Sequence, residues 1–154
     1  MRSLARALLF FLCGMSVLTG VLFAEVVTDV AKDGTLTLAD GKSVVLAGIL
    51  MDEEGVSVLR VLAHKQDVKL QLLTHVPVDG KKSAYVYLLS KSVKHPGKPG
   101  ETPGEQEVLL NEFLLEIGAA KVAETQEFSR KAKFLKVQAE ARKKGEGVWS
   151  YAVS

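Results

Sequence analysis

Residues 33 to 49 read DGTLTLADGKSVVLAGI. Two Asp-Gly pairs, Asp33-Gly34 and Asp40-Gly41, bracket Thr35-Leu36-Thr37-Leu38, in which hydroxyl and apolar side chains alternate. Alternation at period two turns one face of a strand to a core and the other to water. Asp-Gly supplies the positive φ that a two-residue hairpin turn requires. With the apolar-rich Val26 to Ala31 before it and Ser43 to Ile49 after it, the stretch predicts a three-stranded antiparallel meander.

Working outward, Glu54 to His64 carries Val58, Leu59, Val61 and Leu62 on one helical face, and Asp67 to Leu73 returns to strand. Another Asp-Gly turn, Asp79-Gly80, leads into a strand over Ser83 to Leu89. Lys91 to Gly104 (KSVKHPGKPGETPG) is a Pro- and Gly-rich loop whose composition cannot bury a face, a solvated excursion within the domain. Val108 to Ile117 then reads as an apolar helix stopped by Gly118, and Ala119 to Val122 as a short extended piece. Thr125 is placed as an N-cap, with Glu127 in the first turn of a helix running to about Lys144 and ending at Gly145. The order of elements predicts a mainly β, α+β domain: a five-stranded Greek-key barrel of the OB type with about three covering helices.

The N-terminus is of a different kind. Arg2 and Arg6 precede the apolar run Leu8 to Ala24, the pattern of an export signal, with Ala24 suited to the position before a cut and Leu22 bulky where a small residue is preferred. Residues 1–24 are therefore expected to be a signal peptide or an N-terminal membrane anchor, and 25–154 the domain. The single cysteine, Cys13, lies in that run. A lipid-attachment cysteine normally follows a small residue, and here it follows Leu12, so the bland reading is an apolar cysteine in a signal helix. The exported domain would hold no thiol, and its stability must come from packing. Its expected location is the periplasm, the cell envelope or the exterior.

Charge restricts the partners. The chain has 20 Lys and Arg against 18 Asp and Glu, and removing Arg2 and Arg6 leaves 18 of each. A formally neutral domain exerts no global pull on phosphate polymers, so any nucleic-acid affinity must come from a local patch. The strongest local patch is the last helix, where Arg130, Lys131, Lys133, Lys136, Arg142, Lys143 and Lys144 stand against Glu140. Arg130, Lys133, Lys136 and Lys143 are the candidate contacts for nucleic acid, or for an anionic membrane surface. The competing reading is a solvated basic face.

The order of motifs resembles the staphylococcal nuclease, or thermonuclease-like, family. The match is carried by Asp33-Gly34-Thr35-Leu36, Val44 to Ile49 (VVLAGI), Ser83 to Tyr87 (SAYVY), Leu110-Asn111-Glu112, Gly118 to Val122 (GAAKV), Gln138 to Arg142 (QAEAR) and Gly147-Val148-Trp149, from about Val26 to Trp149. The resemblance implies an OB barrel and, for an active member, calcium-dependent hydrolysis of phosphodiesters. Acids in the turn before the second strand and after the third hold the metal, a glutamate acts near the attacking water, and two arginines neutralise the phosphate. Calcium needs several hard oxygen ligands, and the charged phosphorane needs fixed cations; aliphatic groups supply neither.

Position by position, the chain departs from that pattern. The family turn Asp-Gly-Asp-Thr is here Lys32-Asp33-Gly34-Thr35, with Gly34 where the second acid belongs. The strand arginine falls on Val45 and the following acid on Leu50. The proline falls on Asp52, whereas Glu53 keeps the glutamate's type. Asp79, Gly80 and Lys81 stand for Tyr-Gly-Arg, and lysine keeps the charge without the bidentate fork. Glu53 and Lys81 are thus remnant catalytic candidates, with Asp33 and Asp52 as weak metal candidates. No cofactor is expected, and Ca2+ only if the chain is active.

Each has a plainer reading: Asp52, Glu53 and Glu54 as favourable charges at a helix N-terminus, Asp33 as a turn former, Lys81 and Lys82 as solvated surface. His64, His75 and His95 have no metal-ligand spacing. Asn111 is read as structural, and Trp149 with Val148 as an anchor for the C-terminus. The expectation is an exported thermonuclease-like domain without catalysis, a binding or structural module at the envelope with an unassigned partner. The alternatives are a calcium nuclease with rearranged ligands and a non-cleaving nucleic-acid binder.

Overall fold

The computed structural model describes residues 22–78, 80–90 and 106–153. The meander is formed by β1 (Leu22–Val30), β2 (Leu36–Leu38) and β3 (Ser43–Leu46), with Val27 opposite Leu38 and Leu36 opposite Val44. A bulge between Val27 and Asp29 bends β1, so that its two halves serve different neighbours. The second half pairs with β2, and the first pairs antiparallel with β5 (Asp67–Val78), Val26 facing Asp67 and Leu22 facing Gln71. Leu22, Phe23 and Ala24, at the end of the apolar N-terminal run, thus belong to this ladder.

A long hairpin then joins β5 to β6 (Lys81–Ser90) across Gly80, whose φ of 75° an L side chain rarely adopts. β6 runs parallel to β3, Val44 beside Lys82 and Leu46 beside Ala84. That pairing closes the ring β1-β2-β3-β6-β5 into the five-stranded barrel expected from sequence. Two additions were not expected. β7 (Gln106–Leu109) extends the sheet on the free edge of β6, and β4 (Ile49–Leu50) forms a two-stranded ribbon with β8 (Lys121–Val122).

Helix α1 (Glu53–Ala63) follows β4, turning Val56, Leu59 and Ala63 into the core with Val27, Leu36, Val68 and Val86. α2 (Leu110–Glu116) and α3 (Lys131–Lys144) pack on each other and on the outside of β6, where Phe134 meets Tyr85 edge-on at 6.1 Å between ring centroids. α3 stops at Gly145 as anticipated, that residue being left-handed, and a 3-10 turn covers Gly147–Val153.

Several boundaries differ for tertiary reasons. The strand expected over Ser43 to Ile49 breaks at Ala47-Gly48, where Gly48 has φ 75° and the ring of Phe128 would lie 2.5 Å from an added Cβ. That close approach also corrects the start of α3. Residues 123–130 run as turns and bends, with Thr125 outside the helix, because Phe128 is seated between Gly48 and Phe134, 5.4 Å from the latter's ring. The side chain of Lys131 ties the turn down by donating to the Glu124 carbonyl at 2.7 Å. The helix expected from Val108 begins at Leu110, since Val108 and Leu109 pair with Leu88 and Tyr87 and satisfy an otherwise open strand edge. β5 continues to Val78 for the same reason, held by β6.

Candidate functional site

The mouth of the barrel lies where the Ala31–Thr35 turn, the end of β3, the β4–α1 junction and the start of β6 come together. The turn closes through Gly34 N–H to the Ala31 carbonyl at 3.0 Å and Ala31 N–H to the Thr35 carbonyl at 2.9 Å. Gly34, at φ 83°, makes that geometry possible. Asp33 Oδ1 accepts from the Thr35 amide at 3.0 Å, so the carboxylate holds its own turn.

Its other oxygen is also taken. Lys81 Nζ reaches from the first residue of β6 to Asp33 Oδ2 at 2.6 Å and to Thr35 Oγ1 at 2.9 Å. The Ala31–Thr35 turn and the start of β6, distant in sequence, are thereby pinned together. The Lys81 ammonium, followed by the Thr35 hydroxyl and amide, holds the Asp33 carboxyl far below its ordinary value of 3.8. The candidate metal acid and the candidate phosphate cation of the sequence are therefore each other's partner.

The neighbouring seats are apolar. Val45 is half-buried on β3 beside Ser83, and Leu50 projects from the β4–β8 ribbon opposite Lys121 with 56% of its surface exposed. A Cβ on Gly34 would lie 2.9 Å from the Met51 methyl, so a thioether fills the space where a second turn acid would start. Asp52 caps α1, its Oδ1 accepting from Gly55 N–H at 2.8 Å, with Glu53 and Glu54 exposed in the first turn. That is the arrangement favoured by the exposed amides and positive end of a helix.

The basic candidates separate into engaged and outward-facing groups. Arg130, just before α3, lies over the rings of Tyr85 and Tyr87 at 4.9 and 5.8 Å and donates from a terminal nitrogen to the Tyr87 hydroxyl at 2.7 Å. Lys131 pairs with Glu127 at 2.7 Å, and Lys133 with Glu112 at 2.9 Å. Arg142 stacks on Trp149 at 4.8 Å. Lys136 and Lys143 are exposed on α3. His64 is exposed; the His75 side chain and the whole of His95 lie outside the described residues.

Sequence reasoning placed Asp33 and Lys81 at the mouth but missed their union and the role of Met51. A visible signal existed: the turn lost one acid and the hairpin exchanged arginine for lysine, leaving one opposite charge on each.

A closed OB barrel, a helix between its third and fourth barrel strands, and polar turns gathered at one mouth define a nuclease-type OB domain. Residues 28–151 match the family model described as "Staphylococcal nuclease homologue", and the chain belongs to that family. No curated protein matches it. The family is calcium-dependent in general, and the donor set of this mouth does not fit the ion. Asp33 spends both oxygens on Thr35 and Lys81, one oxygen of Asp52 caps a helix, and Leu50 offers hydrocarbon. Among the described residues no three or more His, Cys, Asp or Glu side chains converge to hold a metal.

Proposed function

We propose that this is an exported, non-catalytic member of the nuclease family that serves as a binding or structural module at the cell envelope. The observation that carries the reading is the Lys81–Asp33–Thr35 contact, which uses internally the charges that hydrolysis would need for metal and phosphate. Val45, Leu50 and Met51 support it, because no rotation of these side chains creates a cation or a hard oxygen ligand. Export is supported by Arg2 and Arg6 ahead of the Leu8 to Ala24 run.

The purified full chain, incubated with single-stranded DNA and excess calcium, is expected to leave the DNA intact and to show no calcium uptake by calorimetry. Cleavage that disappears in Glu53→Gln would replace this reading with a rearranged calcium nuclease. Salt-sensitive retention of DNA without cleavage, lost in Lys136→Glu and Lys143→Glu, would instead make it a nucleic-acid binder.

A further inference from the structure

Beside the mouth, and sharing Asp52 with it, a cleft of about 560 Å³ opens between the start of α1, the α2–β8 connection and the C-terminal 3-10 turn. Its walls meet where backbones approach closely. An added Cβ at Gly55 would meet the Ala119 carbonyl at 2.1 Å, and one at Gly118 the Glu146 carbonyl at 2.1 Å. Val58, Ile117 and Val148 give it apolar lining, Asp52 and Glu54 bring carboxylates from α1, and Lys121 brings an ammonium from β8.

None of those three charges is ion-paired among the described residues. Asp52 has one oxygen on the Gly55 amide and one left over, Glu54 is exposed, and Lys121 rests over the Trp149 ring at 5.3 Å. Opposite charges thus line the same cleft without neutralising each other, with hydrocarbon between. A single-sign ligand would complement one side only. A ligand with an ammonium and a carboxylate on one short apolar body satisfies both.

We propose that this cleft binds a short peptide with free termini, its ammonium received by Asp52 and Glu54 and its carboxylate by Lys121. The volume falls within the range of about 300–1,000 Å³ usual for small-molecule sites. A ligand of about two or three small residues is within that volume. This deepens, and rests on, the reading of the chain as a binding module.

Trp149 is the only tryptophan in the chain and touches Lys121, so its fluorescence reports occupancy. Titration of the full chain with trialanine is expected to give a saturable change with Kd about 1 mM or tighter. N-acetyl-trialanine and trialanine amide, each lacking one charge, are expected to bind about tenfold more weakly, as are Glu54→Gln and Lys121→Gln at unchanged Tm. Calorimetry supplies the constant for Lys121→Gln, where the indole baseline shifts. No saturation by about 10 mM, equal binding of the capped peptides, or wild-type affinity in both variants overturns the proposal. The DNA-cleavage assay is read separately: an inert chain that ignores trialanine loses only this inference, and cleavage removes the reading beneath it.

Discussion

Two polar clusters sit along the same parallel seam between β3 and β6, and they have opposite characters. At the Leu46–Ala84 end, Asn111 is fully buried on α2. Its Oδ1 accepts from Val86 N–H at 2.9 Å, and its Nδ2 donates to the Ala47 and Ala84 carbonyls at 2.9 and 3.1 Å. At the Val44–Lys82 end, Lys81, Asp33 and Thr35 form a cluster whose two charged members keep 39% and 57% of their side-chain surface exposed. The first cannot be altered without stranding backbone groups that have no water to turn to. The second can drift, because solvent replaces whatever is lost. The fold is therefore held by groups that chemistry never needed, and the mouth can lose its reaction while the barrel stays closed.

The sharpest way to break this contrast is Asn111→Ala. It removes three buried hydrogen bonds and should cost about 3–5 kcal/mol, read as a large fall in the urea midpoint. A loss under about 1 kcal/mol would mean that the seam does not depend on this side chain. Gly48→Ala comes next, since it combines a left-handed φ with a Cβ 2.5 Å from the Phe128 ring. A destabilisation of about 2 kcal/mol is expected.

Effects at the mouth should be smaller. Asp33→Asn is expected to cost under about 1 kcal/mol, as exposed ion pairs do. Its pH dependence carries more information than its size. The folded-state pKa of Asp33 is depressed below 3.8, so its stabilisation is present above that pH and fades as pH falls further toward the folded value. The Tm gap between wild type and Asp33→Asn should hold steady from neutrality to about pH 5 and close below about pH 4. A gap that closes near neutrality would dissociate Asp33 from Lys81. The smallest effect belongs to Leu50→Asp. At a position 56% exposed, stability should change by no more than about 0.5 kcal/mol. Calcium uptake should remain undetectable by calorimetry, because Asp33 stays committed to Lys81. Tight uptake in that variant would show the mouth to be one residue from a working metal site, and the contrast drawn above would fail.

Much of the barrel was legible in the sequence because it is written in local terms. Alternation in Thr35–Leu38 and the Asp-Gly turns specify strands and reversals through neighbours in the chain, and the order of motifs then pointed to the OB barrel. Thr125 shows where this stops. It is a good N-cap by type, yet α3 begins at Lys131, because Phe128 is held against Gly48, a residue far away in sequence. β7 was hidden likewise, since Val108 and Leu109 suit a helix as well as a strand and only the open edge of β6 decides between them.

The sequence alone determined the five barrel strands and their order, the hydrocarbon character of Val45 and Leu50, and the charges carried by the mouth. These depend on side-chain type and short-range periodicity, which need no partner. Tertiary structure decided what those charges do. Asp33 and Lys81 read as a turn former and a surface lysine until the closure of β3 on β6 brings their two turns together. At 2.6 Å a carboxylate and an ammonium satisfy each other.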